Sequence, residues 1–183
     1  MSDVVPLTGE PLALDLVNTR TADGDLLATS DELRAWLRLQ SGRLPDIADL
    51  DIHDVRAVHA VREHAAGAIE RARRGERPAG DDLAALNDAQ RAAPAITELT
   101  WDGSAVTASR RRTGPAGARL AGWLAEAAAD LLADPSVTRI RQCEADDCVL
   151  LFLPNHPRRR WCSAARCGNR VRVARHYQRH KPA

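Results

Sequence analysis

The 183-residue sequence contains one lysine, Lys181, among 26 basic residues, and aromatic residues make up only 3% of it. So general a preference for arginine fits a GC-rich genome, and the arginine count alone is no binding signal. With few rings available, Ala, Leu, Val and Ile must fill the interior, and a hydrophobic content of 44% allows a packed core. No run approaches the ~18 apolar residues of a membrane span, and no N-terminal apolar segment resembles a signal peptide. The expectation is a cytoplasmic protein, whose thiols stay reduced. A glycine-rich phosphate loop and a nucleophile motif are also lacking, so nothing points to an enzyme.

Cysteine is confined to two short pairs, Cys143-x4-Cys148 and Cys162-x4-Cys167. Four thiols in two pairs meet the tetrahedral demand of one structural Zn²⁺, and a reducing compartment favours zinc over two disulfides. A unit of this size has too little core to hold itself firmly, so the metal would supply much of its folding free energy. His156, His176 and His180 could also ligate, but with four cysteines present they read as surface residues.

Charge divides at the same place. Residues 1–138 carry 15 basic and 22 acidic side chains, a net of −7, whereas residues 139–183 carry 11 and 3, a net of +8. The C-terminal part therefore favours a polyanion.

Apolar periodicity sketches the larger part. Pro11 opens a short segment through Leu12, Ala13, Leu16 and Val17, helical by its first-turn proline although its alternation also permits a strand. Ser30 can cap a second helix bearing Leu33, Trp36, Leu37 and Gln40. A long helix spans about 51–74, and Gly80-Asp81 opens another that Pro94 stops. Alternation around Asp102-Gly103 signals a β-hairpin, ended by Arg110, Arg111 and Arg112. Pro115 begins the last helix, and Asp134-Pro135-Ser136 forms the boundary.

Beyond it, residues 137–142 alternate as a strand leading into a knuckle at Cys143 and Cys148. Residues 149–153 and 158–161 read as a hairpin ending at Cys162, with Phe152 and Trp161 as its small core. Cys167 starts a helix to about His180. The fold class expected is α+β: a mostly helical domain with one β-hairpin over residues 1–136, then a small treble-clef-like zinc module (knuckle, β-hairpin, helix) over residues 137–183. Arg158, Arg159 and Arg160 lie on the hairpin, Arg166 beside the second cysteine pair, and Arg170, Arg172, Arg175 and Arg179 on the helix. Some of these could balance a Zn(Cys)₄ centre of formal charge −2 and solubilise a small module. As a set they suggest a surface for duplex DNA, gripping phosphates and reaching base edges.

The stretch Cys143-x4-Cys148, Arg160-Trp161-Cys162-Ser163, Cys167-Gly168-Asn169-Arg170 and Arg175-His176-Tyr177 resembles the CGNR zinc finger. Leu14-Asp15-Leu16-Val17-Asn18-Thr19 and Trp36-Leu37 resemble the ABATE domain that precedes this finger in bacterial proteins. The resemblance implies a stress-linked transcription regulator whose finger binds zinc and DNA. Asp15, Asn18 and Thr19 border an apolar segment. They either end a helix or line a pocket for a small-molecule effector, in a domain that would sense a signal or contact a protein partner. A protein-interaction adaptor using zinc only for stability is the other function class that fits.

Overall fold

The computed structural model describes residues 6–45, 47 and 50–179, with side chains as far as Ala174. The larger part is built from α1 (Leu12–Val17), α2 (Ser30–Leu39), α3 (Ile52–Ala72), α4 (Gly80–Ala92) and α5 (Ala116–Ala133). Strands β1 (Arg20–Thr21) and β2 (Gly24–Asp25) form a small hairpin, and β3 (Ala95–Trp101) and β4 (Val106–Arg112) a longer one. Among the described residues no helix is long and apolar enough to cross a membrane.

The α3 stripe of Val55, Val58, Val61, Ala65, Ala68 and Ile69 is buried against Leu120, Leu124, Ala125 and Ala128 of α5. Alanines and leucines at helical spacing let these helices approach closely, and α1 lies across both through Leu14 and Leu16. The cap of α2 is Thr29 rather than Ser30. Thr29 has Glu32 three residues on, and the two exchange hydrogen bonds in a capping box, whereas Ser30 would meet Leu33 at that position and gain no reciprocal bond.

The β3–β4 hairpin projects from this body. Leu99, Trp101 and Val106 are 69%, 66% and 66% exposed, while Arg112 at its base is buried. Its loop is wider than the two-residue turn that Asp102-Gly103 suggests, because the Asp102 side chain accepts the backbone N–H groups of Ser104 and Ala105.

The C-terminal part departs from expectation in two places. Residues 135–139 form a 3₁₀ turn (Pro135–Arg139), capped by the Asp134 carboxylate on the Ser136 N–H at 2.7 Å, and only β5 (Arg141–Gln142) is extended. Its partner is β6 (Leu151–Phe152), so the knuckle is itself the turn of the module's hairpin. Residues 158–161 form no strand. The Arg160 carbonyl accepts the Glu144 N–H from the knuckle at 3.0 Å, and the Arg159 side chain occupies the carbonyls of Trp161 and Cys162. After a π-turn (Ala164–Gly168), α6 runs over Asn169–Arg179.

Candidate metal centre

Three of the four cysteines are each delivered by a different local device. The Cys143 N–H donates to the Leu150 carbonyl at 2.9 Å, closing the hairpin, and the Cys148 N–H turns back to Ala145 at 3.0 Å. Ser163 caps the π-turn, accepting the Arg166 N–H on its hydroxyl and the Gly168 N–H on its carbonyl, which swings Cys167 toward Cys162. The four Sγ atoms lie within 4.8 Å of one another, with Cys148 and Cys162 3.8 Å apart and Cys162 and Cys167 3.6 Å apart. Zn–S bonds of about 2.3 Å at tetrahedral angles put sulfurs about 3.8 Å apart, and a disulfide would bring two to about 2 Å. The four free thiols therefore fit one Zn²⁺ with no protein position left open.

Their electrostatics agree. Burial opposes ionisation, and together with the charge of Cys143 it pushes Cys148 up to about 11. Cys162, with more neighbouring sulfurs, is pushed up further. At Cys143 burial is outweighed by backbone N–H donors from Cys162 and Ala145, which hold that thiol below its usual range. The two raised thiols, Cys148 and Cys162, keep their protons until a cation compensates them. Phe152 and Leu150 pack on Cys143, Cys162 and Cys167 in a small buried cluster, with Trp161 half-buried at its margin.

Of the arginines, Arg158, Arg160, Arg166, Arg170 and Arg172 are exposed around this centre. Arg160 pairs with Glu144 and Arg170 with Asp147, so two of them brace the knuckle's acidic turn, and Arg170 also donates to Cys167 Sγ at 3.6 Å. Arg172 donates to the Gly168 carbonyl. Arg159 is turned inward: it stacks 4.4 Å over Phe152, and one nitrogen donates at 2.6 Å both to Glu10 Oε1 and to the Cys162 carbonyl. The side chains of Arg175 and Arg179 lie outside the described residues.

Asp15, Asn18 and Thr19 are 0%, 2% and 0% exposed. Asp15 accepts the N–H groups of Gly9 and Glu10, the Gln40 amide at 3.2 Å and the Arg43 guanidinium at 2.6 Å. Thr19 donates to the Leu16 carbonyl and accepts from Arg62. Asn18 bonds both the N–H and the carbonyl of Leu151 and borders a cavity of about 480 Å³ between α3 and the module. The three are thus neighbours in and just after α1, with separate partners. Two further positioning residues escaped the sequence reading. Glu10, 8% exposed, accepts the Leu153 N–H as well as Arg159, and Arg62, with a side chain 1% exposed, grips Asp25 through two bonds. Arg62 interrupts the apolar stripe of α3, which is the one signal it gives; nothing local marks Glu10.

A family model named ABATE, with the description "Putative stress-induced transcription regulator", matches residues 10–135, and the CGNR zinc finger model matches residues 139–180. No curated protein matches the chain.

Proposed function

The chain belongs to the ABATE family, and from that premise we propose that it is a cytoplasmic transcription regulator that binds duplex DNA through a structural zinc module. In this reading residues 137–183 carry the DNA surface, and residues 1–136 sense a signal or mediate association. The observation that carries it is the set of five exposed arginines, Arg158, Arg160, Arg166, Arg170 and Arg172, around one four-cysteine site in a segment of net charge +8. Arg175 and Arg179 continue along α6. Arg159 serves the frame instead, as do Asp15, Asn18 and Thr19.

The zinc is a scaffold here. With four thiolates around it the ion offers no position for water, so catalysis at the metal is not part of the reading. Cys143, Cys148, Cys162 and Cys167 would hold the ion and so tie the hairpin to the start of α6, and guanidinium groups beside them would contact phosphates as multidentate donors.

One observation favours a second reading, a protein-interaction adaptor. Arg160 and Arg170 already hold Glu144 and Asp147, which lowers the positive field available to a polyanion. Electrophoretic mobility shift of a duplex by the zinc-loaded protein, before and after chelation, separates the two. A retarded band that chelation removes supports DNA binding, whereas no band at about 150 mM salt up to micromolar protein favours the adaptor.

A further inference from the structure

A cavity of about 240 Å³ lies away from the cysteines, between the segment after α2 and the face where β4 meets α5. Arg110, Arg111, Arg112 and Arg119 line it, together with Trp123, Pro45 and Ile47. Four guanidiniums at one small cavity are unexpected in a segment whose net charge is −7.

Two carboxylates answer them among the described residues. Glu98 takes Arg111 at 3.0 Å, and Glu126 is shared between Arg110 at 2.6 Å and Arg112. The Arg119 side chain has no ion pair or hydrogen bond among the described residues, and its Nε is buried without a partner. Arg112, whose side chain is 2% exposed, also has an unpartnered buried Nε. Unpartnered buried N–H donors are uncommon in native proteins, and of the four among the described residues (Trp36 Nε1 and the Nε atoms of Arg62, Arg112 and Arg119) two belong to arginines of this one cavity.

The surroundings hold these groups in position. Arg112 stacks 4.9 Å over Trp123 and donates to the Ala93 carbonyl. It reaches there because position 122 is glycine: a Cβ at Gly122 would lie 3.0 Å from the Arg112 guanidinium and 3.1 Å from the Ala93 oxygen. Trp123, Pro45 and Ile47 give the cavity an apolar side. Its volume is below the roughly 300–1,000 Å³ of drug-sized ligand pockets, so the occupant is small.

We propose that this cavity binds a small organic carboxylate, its oxygens on Arg119 and Arg112 and its apolar body against Trp123. A guanidinium fork matches a planar carboxylate, and the net excess of two cations over carboxylates favours an anion. The inference rests on the sensing role proposed for the larger part of the chain and gives that role a ligand class and an address.

Calorimetric titration of the zinc-loaded full chain with benzoate, and separately with inorganic phosphate, at low salt tests it. The expected result is one benzoate per chain at submillimolar affinity, weakened at least about tenfold in Arg119→Gln and partly restored in Arg119→Lys, which returns the charge without the fork. Because Arg119 holds nothing else in the described fold, Arg119→Gln should melt at the wild-type temperature. Absence of benzoate binding up to about 10 mM, equal affinity in Arg119→Gln, or binding of phosphate with benzoate inert would each overturn the proposal. No DNA enters the measurement, so its failure is distinct from failure of the DNA-binding reading.

Discussion

Asn18 and Leu151, 133 residues apart in sequence, exchange two buried hydrogen bonds of 2.8 Å, the Asn18 amide bonding the Leu151 N–H and carbonyl as a third strand would. This side chain joins the helical part to the zinc hairpin, and Glu10 repeats the device two residues further along the hairpin, on Leu153, and also holds Arg159. Asn18→Ala leaves a donor and an acceptor buried and unmatched. The expected cost is about 2–4 kcal/mol, read as a lowered denaturation midpoint with the zinc content unchanged.

Removal of zinc should affect one part of the molecule first. Chelation, or Cys162→Ser, is expected to abolish amide protection across residues 139–179 while α3 and α5, whose core is separate from the cysteine cluster, stay protected. Zinc uptake must displace protons from thiols whose pKa is raised, Cys148 to about 11, so affinity rises with pH and proton release accompanies binding. Hydrogen exchange and a metal titration at two pH values measure both effects.

A second pH effect lies in Asp25. Burial raises its pKa, but the Arg62 guanidinium and the Leu27 N–H outweigh burial and hold the carboxyl down at about 2. A depressed folded pKa stabilises above the unfolded value near 3.8, and that contribution is lost as pH falls from about 5 toward 2. Screened by solvent on its open side, it amounts to at most about 2 kcal/mol. Asp25→Asn removes the carboxylate that Arg62 grips, leaving it Glu63 at 3.7 Å and Thr19, and should cost about 1–3 kcal/mol at neutral pH, with a flatter acid limb in urea melts.

Exposure separates two leucines. Leu124 is fully buried between helices, and Leu124→Ala should cost about 2–5 kcal/mol, whereas Leu99 on the projecting hairpin is 69% exposed and Leu99→Thr should cost less than about 0.5 kcal/mol. Thermal melts of the two variants test the placement of the core.

Local chemistry made much of this legible. The α3 stripe, the Pro115 start of α5 and the two cysteine pairs depend on spacing, which sequence states directly. What escaped depended on contacts across the chain. Arg159 sits in a run of three arginines that look alike in sequence, and only the folded position of Glu10 and Phe152 turns it inward. Asn18 and Asp15 read as helix-end residues or, alternatively, as pocket residues, and neither reading finds their partners, Leu151 and Arg43, which lie outside α1. The strand expected over 158–161 failed for the same reason: its carbonyls at Arg160 and Trp161 are taken by the Glu144 N–H and the Arg159 side chain instead of a ladder.

The central claim is that the module presents its arginines to phosphates. Fluorescence anisotropy of a labelled duplex, titrated with zinc-loaded protein at several salt concentrations, tests it most directly. Five arginine–phosphate contacts predict a slope of log affinity against log salt of about −4.5, with binding abolished by Cys162→Ser. A slope near zero, or unchanged binding by Cys162→Ser, would contradict it.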